Sequence, residues 1–179
     1  MKMNKKVKQK LNEILDMETV IDSRKLSETE ISDFESAHGI KLSNEYKDFL
    51  MNFNEVYIND GYKFPMIEKS DLTPESGFEN IDFLYVGNFI QNAEKFIKEY
   101  GKKLLPIGET AGDTICIGVH GDMAGKIYFI YHEDENEDKD EYLAANSFNE
   151  FIISFEKRPS HGIDLDDIEI ELDDDLWNS

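Results

Sequence analysis

Apolar residues recur at helical spacing over the first fifty positions and at alternate positions afterwards, so the chain has a helical front and a strand-rich body. Residues 5–17, "KKVKQKLNEILDM", place Val7, Leu11, Ile14 and Leu15 on one face and predict a first amphipathic helix. Its lysines precede its acids, the wrong order for the helix dipole, which predicts a frayed start. In "LSETEISDFESAHGI", Ser27 and Glu30 form a capping box, Leu26 and Ile31 a hydrophobic staple, and Ile31 and Phe34 an apolar stripe. Gly39 is placed to end that helix, with Ile40 folding back onto it. Ser43 then caps "NEYKDFLMNF", whose Tyr46, Phe49, Leu50 and Phe53 make a broad apolar face.

After Asn54 the period drops to two. "VYINDGYKFPMI" reads as two short strands around Asn59-Asp60-Gly61, a hairpin signal. "IDFLYVGNF" is a strand ending at Gly87, followed by a helix over residues 89–100 that stops at Gly101. "KKLLPIGE", "DTICIGV" and "KIYFIYHE" are three strands, the last two joined by "HGDMAG". "EYLAA" is a further strand, and Ser147 with Glu150 starts a last helix, "SFNEFIISFEK". Helices, then a meander of strands with one inserted helix, then a helix describe a single α+β domain. Its sheet is mostly antiparallel, with five to six strands and helices packed on it. The inward phase of these elements predicts a core containing Phe49, Leu50, Ile107, Ile115, Ile117, Ile127, Phe129, Phe148 and Phe151.

Composition agrees with a folded body: 40% of the 179 residues are apolar and 12% aromatic. No apolar run approaches the ~20 residues needed to span a bilayer. The basic start "MKMNKKVKQKL" lacks the apolar block of a signal peptide, so the expectation is a soluble cytoplasmic protein. The single cysteine, Cys116, excludes an internal disulfide and a multi-cysteine zinc site, and inside "TICIGV" it reads as buried filler. Charge changes the picture more. The net charge is -20, and Glu133–Ser179 carries 17 acidic and 3 basic residues, a net of -14. A field so placed repels nucleic acid and anionic membranes and attracts cationic partners. An acidic excess also keeps any protein soluble, but its clustering points to a partner.

Candidate chemistry narrows quickly. "PIGETAGDTICIG", Pro106–Gly118, resembles a phosphate loop in its glycines, yet it leads into a β-branched run with no lysine before Lys126. Asp113, His120, Asp122, His132 and Glu133 supply metal-ligating atoms without any recognised ligand spacing. The expectation is therefore structural: Gly108 and Gly112 give turn geometry, and Asp113 bonds local amides where a strand begins. His38, His120, His132 and His161 have no serine or cysteine partner in a triad or elbow motif. Basic patches with interleaved aromatics are absent, and the lysines of residues 2–10 read as a solvated terminus.

Three segments, "LSNEYKDFLMNFN", "LLPIGETAGDTICIGVHGDMAGKIYFIYHE" and "SFNEFIISF", resemble the SUKH superfamily, immunity proteins related to the fungal Smi/Knr cell-wall regulators. The pattern falls on Tyr46, Phe49, Leu50 and Asn54, then on Ile107, Gly108, Gly112, Asp113, Gly125, Ile127, Tyr128 and His132, and finally on Ser147, Phe148 and Phe151. It covers about residues 26–156 in order. Leu42-Ser43 stands where Leu-Pro is usual and Asn54-Glu55 where Asn-Gly is usual; both departures lie at helix ends. The division expected is an N-terminal helical extension over 1–20, a SUKH-like domain over 21–158 and an acidic tail over 159–179.

The resemblance implies an α+β fold, no catalytic apparatus and no cofactor. It implies a non-enzymatic bacterial immunity protein that binds and neutralises a cognate toxin, often a nuclease. A regulatory scaffold of the fungal Smi/Knr type is the alternative, and an enzyme or metal protein built on Asp113, His120 and His132 a third. An acidic plug suits the basic substrate groove of a nuclease. The candidate partner-binding residues are accordingly Glu133, Asp134, Glu135, Glu137, Asp138 and Asp140, in the run "EDENEDKDEY" between two strands.

Overall fold

Asn4 opens the first helix, α1 (Lys5–Ile14), by accepting the Lys6 amide at 2.9 Å. The N-terminus is thereby capped in spite of its unfavourable lysines, and Val7, Leu11 and Ile14 are fully buried below it. The computed structural model describes residues 3–16, 24–53, 56–59, 61–85, 88–101, 103–133 and 141–158. The 159–179 tail, Asn54-Glu55 and Gly87 lie outside these residues.

Helix α2 (Glu28–His38) carries the expected capping box, with the Ser27 amide donating to Glu30 Oε2 at 2.9 Å and the Glu30 amide to Ser27 Oγ at 3.3 Å. The Ser27 amide and hydroxyl, helped by Arg24, hold the Glu30 carboxyl down at about 2. Gly39, at φ 63°, ends the helix, and Ser43 caps α3 (Asn44–Asn52).

Six strands form the larger sheet in the order β1 (Val56–Tyr57), β4 (Phe83–Leu84), β5 (Leu104–Thr110), β6 (Asp113–Gly118), β7 (Ile127–Ile130) and β8 (Tyr142–Ala145). Every pairing is antiparallel. Helix α4 (Phe89–Tyr100) is inserted between β4 and β5, and α5 (Phe148–Ile153) follows β8. A second sheet of three antiparallel strands has β2 (Tyr62–Pro65) at its centre, flanked by β3 (Phe78–Asn80) and β9 (Glu156–Lys157).

This second sheet corrects the sequence reading in three places. The two runs around Asn59-Asp60-Gly61 are strands but not a hairpin: β1 pairs with β4, and β2 pairs with β3 and β9. Glu156 and Lys157, expected at the end of the last helix, form β9 instead, after Ser154 closes α5. Strand β3 was not anticipated, because three residues are too few to display a period. Alternation identifies a strand but not its partner.

The core gathers residues of all five helices, of β2 in the second sheet and of one face of the larger sheet. All nine residues expected there are completely buried. Phe148 sits 5.1 Å from the ring centroids of both Tyr46 and Phe49, and Phe64 lies 5.0 Å from Phe151. By strand alternation Leu104, Cys116 and Tyr128 point to the opposite face, where Phe96 of α4 packs on them.

Both outer edges of the larger sheet are bonded by other segments. On β8 the Leu143 carbonyl accepts the Ile67 and Glu68 amides at 3.1 and 2.9 Å, and its amide donates to Glu68 Oε2 at 3.0 Å. On the β1 side the Tyr57 carbonyl accepts the Asp16 amide at 2.9 Å, and the Asn59 amide donates to Ile14 at 2.8 Å.

Candidate protein-binding surface

The two-residue turn Ala111-Gly112 joins β5 to β6, with both residues in the left-handed region at φ 43° and 99°. That answers what the glycines of "PIGETAGDTICIG" do: Gly112 turns the chain into a strand, and no helix follows to bind phosphate. A Cβ on Gly112 would also stand 3.2 Å from the His132 ring. Gly108 has a different role from the turn expected for it. It lies within β5, where a Cβ would come within 2.5 Å of the Phe83 carbonyl, so its missing side chain lets β4 approach.

Asp113 likewise reaches further than expected. Its Oδ1 accepts the amide of His132, at the end of β7, at 2.9 Å, and lies 2.7 Å from His132 Nδ1. Glu133 Oε1 is 3.6 Å from the other ring nitrogen. His120 and Asp122 fall at the far end of β6, a six-residue strand away, or roughly 20 Å. The five candidate ligands thus divide into two groups, and among the described residues no three such side chains converge to hold a metal. His38 packs on Phe34 with ring centroids 4.8 Å apart, while His161 lies outside the described residues.

One residue earlier, the Tyr131 hydroxyl donates to Glu79 Oε1 at 2.6 Å and meets Thr73 Oγ1 at 2.7 Å. This buried chain ties the end of β7 to β3. Burial pushes the Glu79 carboxyl up from its ordinary value and, with the Glu79 hydrogen bond, pushes the Tyr131 hydroxyl up too. The point from which the acidic run departs is therefore rigidly held. Glu133 is exposed there, and Glu141 re-enters at β8. Asp134, Glu135, Glu137, Asp138 and Asp140 lie outside the described residues.

Next to His132 and Glu141 a cleft of about 620 Å³ opens, with Phe96, Leu104, Thr114 and Ile130 among its walls. Tyr100, at the end of α4, is 66% exposed on its rim and packs on Phe96 at 4.6 Å. Sequence reasoning missed this cleft. The only sequence signal for it was an aromatic pair four residues apart at a helix end, which reads equally as core.

The hydrogen bond to Asp113 raises the His132 pKa above its ordinary value, reinforced by the charges of Asp113 and Glu133. A raised folded value means that the stabilisation is complete below about pH 6.5 and is lost as pH rises through the folded pKa. Asp113→Asn is expected to return His132 towards about 6.5 with the fold intact. Stability should differ most between variant and parent below that pH. Following the His132 ring proton by NMR across a pH titration checks this; an unmoved midpoint would refute the pairing.

Among the described residues, no helix is long and apolar enough to cross a membrane. The profile of the SMI1 / KNR4 family (SUKH-1) matches residues 25–154. The chain is also 31% identical over 170 residues to the SPbeta prophage-derived uncharacterized protein YokK of Bacillus subtilis (strain 168), with 84% of this chain and 86% of that protein covered. The profile covers well over half of the chain, and the chain belongs to the SMI1 / KNR4 family (SUKH-1).

Proposed function

We propose that this chain is a non-enzymatic immunity protein of the bacterial cytoplasm, which binds and neutralises a cognate toxin with a basic surface, such as a nuclease. The observation that carries the reading is the setting of the two residues that flank the acidic run. Its described flanks, Glu133 and Glu141, stand at a braced strand end, and Glu141 lines a cleft of mixed polar and apolar character with the exposed aromatic Tyr100 on its rim. Such a surface joins charge that speeds encounter to an aromatic anchor that slows release. The separation of His120 and Asp122 from Asp113 and His132 supports a binding role over a metal or enzymatic one.

Co-expression with the toxin encoded beside its gene is expected to restore colony formation, whereas a regulatory scaffold would give no protection. Reversing Asp134, Glu135, Glu137 and Asp138 to lysine should slow association with the toxin about 10-fold or more at low salt and flatten its salt dependence. The melting temperature should stay close to the parent's. Unchanged association rates at low salt would remove the acidic run from the interface.

A further inference from the structure

A second, smaller cleft of about 300 Å³ lies between α2 and α3. Its character is set by Asp48. Helix α3 turns its apolar face, Tyr46, Phe49 and Leu50, into the core, yet Asp48 is only 5% exposed. Among the described residues no side chain or amide donates to its carboxylate. Its backbone carbonyl is used by Asn52, at 2.6 Å, and the adjacent Lys47, which also lines the cleft, pairs with Glu35 at 3.3 Å rather than with Asp48. Among the described residues no fully enclosed polar side-chain atom lacks a partner, so the Asp48 oxygens keep some contact with solvent, and Asp48 lines the cleft. A carboxylate so far withdrawn from water and left unpaired is unfavourable for an isolated domain. It is favourable once a cation fills the space in front of it.

We propose that this cleft receives an arginine side chain presented by a protein partner. The volume equals about ten waters, room for one long side chain. Ile31 and Met51 offer apolar walls for the aliphatic stem, and Glu28, Ser32 and Asn44 in the same lining carry further acceptor groups. A planar guanidinium has five donors for such a set of acceptors, and it is less strongly hydrated than an ammonium, so it enters a half-dry cleft at lower cost. Nothing in this assignment depends on the partner being a toxin, and its test needs no toxin.

The full chain is titrated with acetyl-arginine-N-methylamide and followed by amide NMR, with the uncharged isostere acetyl-citrulline-N-methylamide as control. Saturating shifts confined to residues 28–32 and 44–51 are expected for arginine. The citrulline probe, or the Asp48→Asn variant, should bind about 10- to 100-fold more weakly, the worth of a charge-assisted hydrogen bond. Glu28→Gln should weaken binding to a lesser degree. Without probe, Asp48→Asn should melt at a higher temperature than the parent, because it removes an unpaired charge. The proposal is overturned by shifts that do not saturate, by equal binding of citrulline, or by a lowered melting temperature in Asp48→Asn. Free L-arginine binding 10-fold more tightly than the blocked residue would make this a small-molecule site and overturn it too.

Discussion

Phe148→Ala is expected to lower the melting temperature steeply. Phe148 is the first residue of α5, is wholly buried, and stands edge-on to Tyr46 and tilted against Phe49 at 5.1 Å each. It therefore fastens the closing helix to α3 from the other end of the chain. Removing a buried phenylalanine ring costs about 3–5 kcal/mol, against a net stability of ~5–15 kcal/mol for an ordinary domain. Thermal unfolding followed by circular dichroism would show the loss, and Phe148→Leu should recover much of it. An unchanged melting temperature in Phe148→Ala would mean that this contact does not hold α5.

Gly118→Ala should cost about 3 kcal/mol, through a different mechanism. A Cβ there would stand 2.1 Å from the Met123 carbonyl oxygen and 2.6 Å from its carbon, contacts no side chain can make. The turn cannot retreat, because the Gly118 amide donates to Lys126 at 2.9 Å and its carbonyl accepts from Gly125 at 2.8 Å. Gly121→Ala in the same turn is the control. Its φ of 53° carries a left-handed penalty of about 1–2 kcal/mol, but nothing stands within 4 Å of a new Cβ. Chemical denaturation of the two variants would compare them; if Gly118→Ala were no worse than Gly121→Ala, the close packing of this turn would be refuted.

Much of the fold was legible because its signals are local. Ser27 with Glu30 and the stop at Gly39 are contained within one helix, and the alternation of Ile115, Cys116 and Ile117 assigns a strand and its two faces without reference to anything distant. What escaped is non-local. Val56 and Tyr62 carry the same alternation whichever strand they join, so the division into two sheets was invisible. Nothing local marks Glu79 as buried, and its hydrogen-bond partner, Tyr131, lies 52 positions later. Of the candidate site, the place of the acidic run between two strands could be read, and so could a backbone-amide bond to Asp113, but not that its partner is His132, 19 positions away. The cleft rimmed by Tyr100 and the unpaired carboxylate of Asp48 could not, since both arise from how helices meet other elements.

The bonded edges of the larger sheet bear on how recognition can evolve. A peptide that binds by adding a strand must find free amides and carbonyls at a sheet margin. At Leu143 and at Tyr57 those groups are already taken by residues 67–68 and by Asp16. A strand-adding partner is kept off those two margins of the larger sheet, while side chains on loops and on helix surfaces stay open to a partner. Side chains can be exchanged one at a time while the hydrogen-bonded frame stays as it is. A protein that must follow a changing adversary would gain from that separation: specificity can drift quickly at the surface, and each step is judged on affinity alone, without putting the fold at risk.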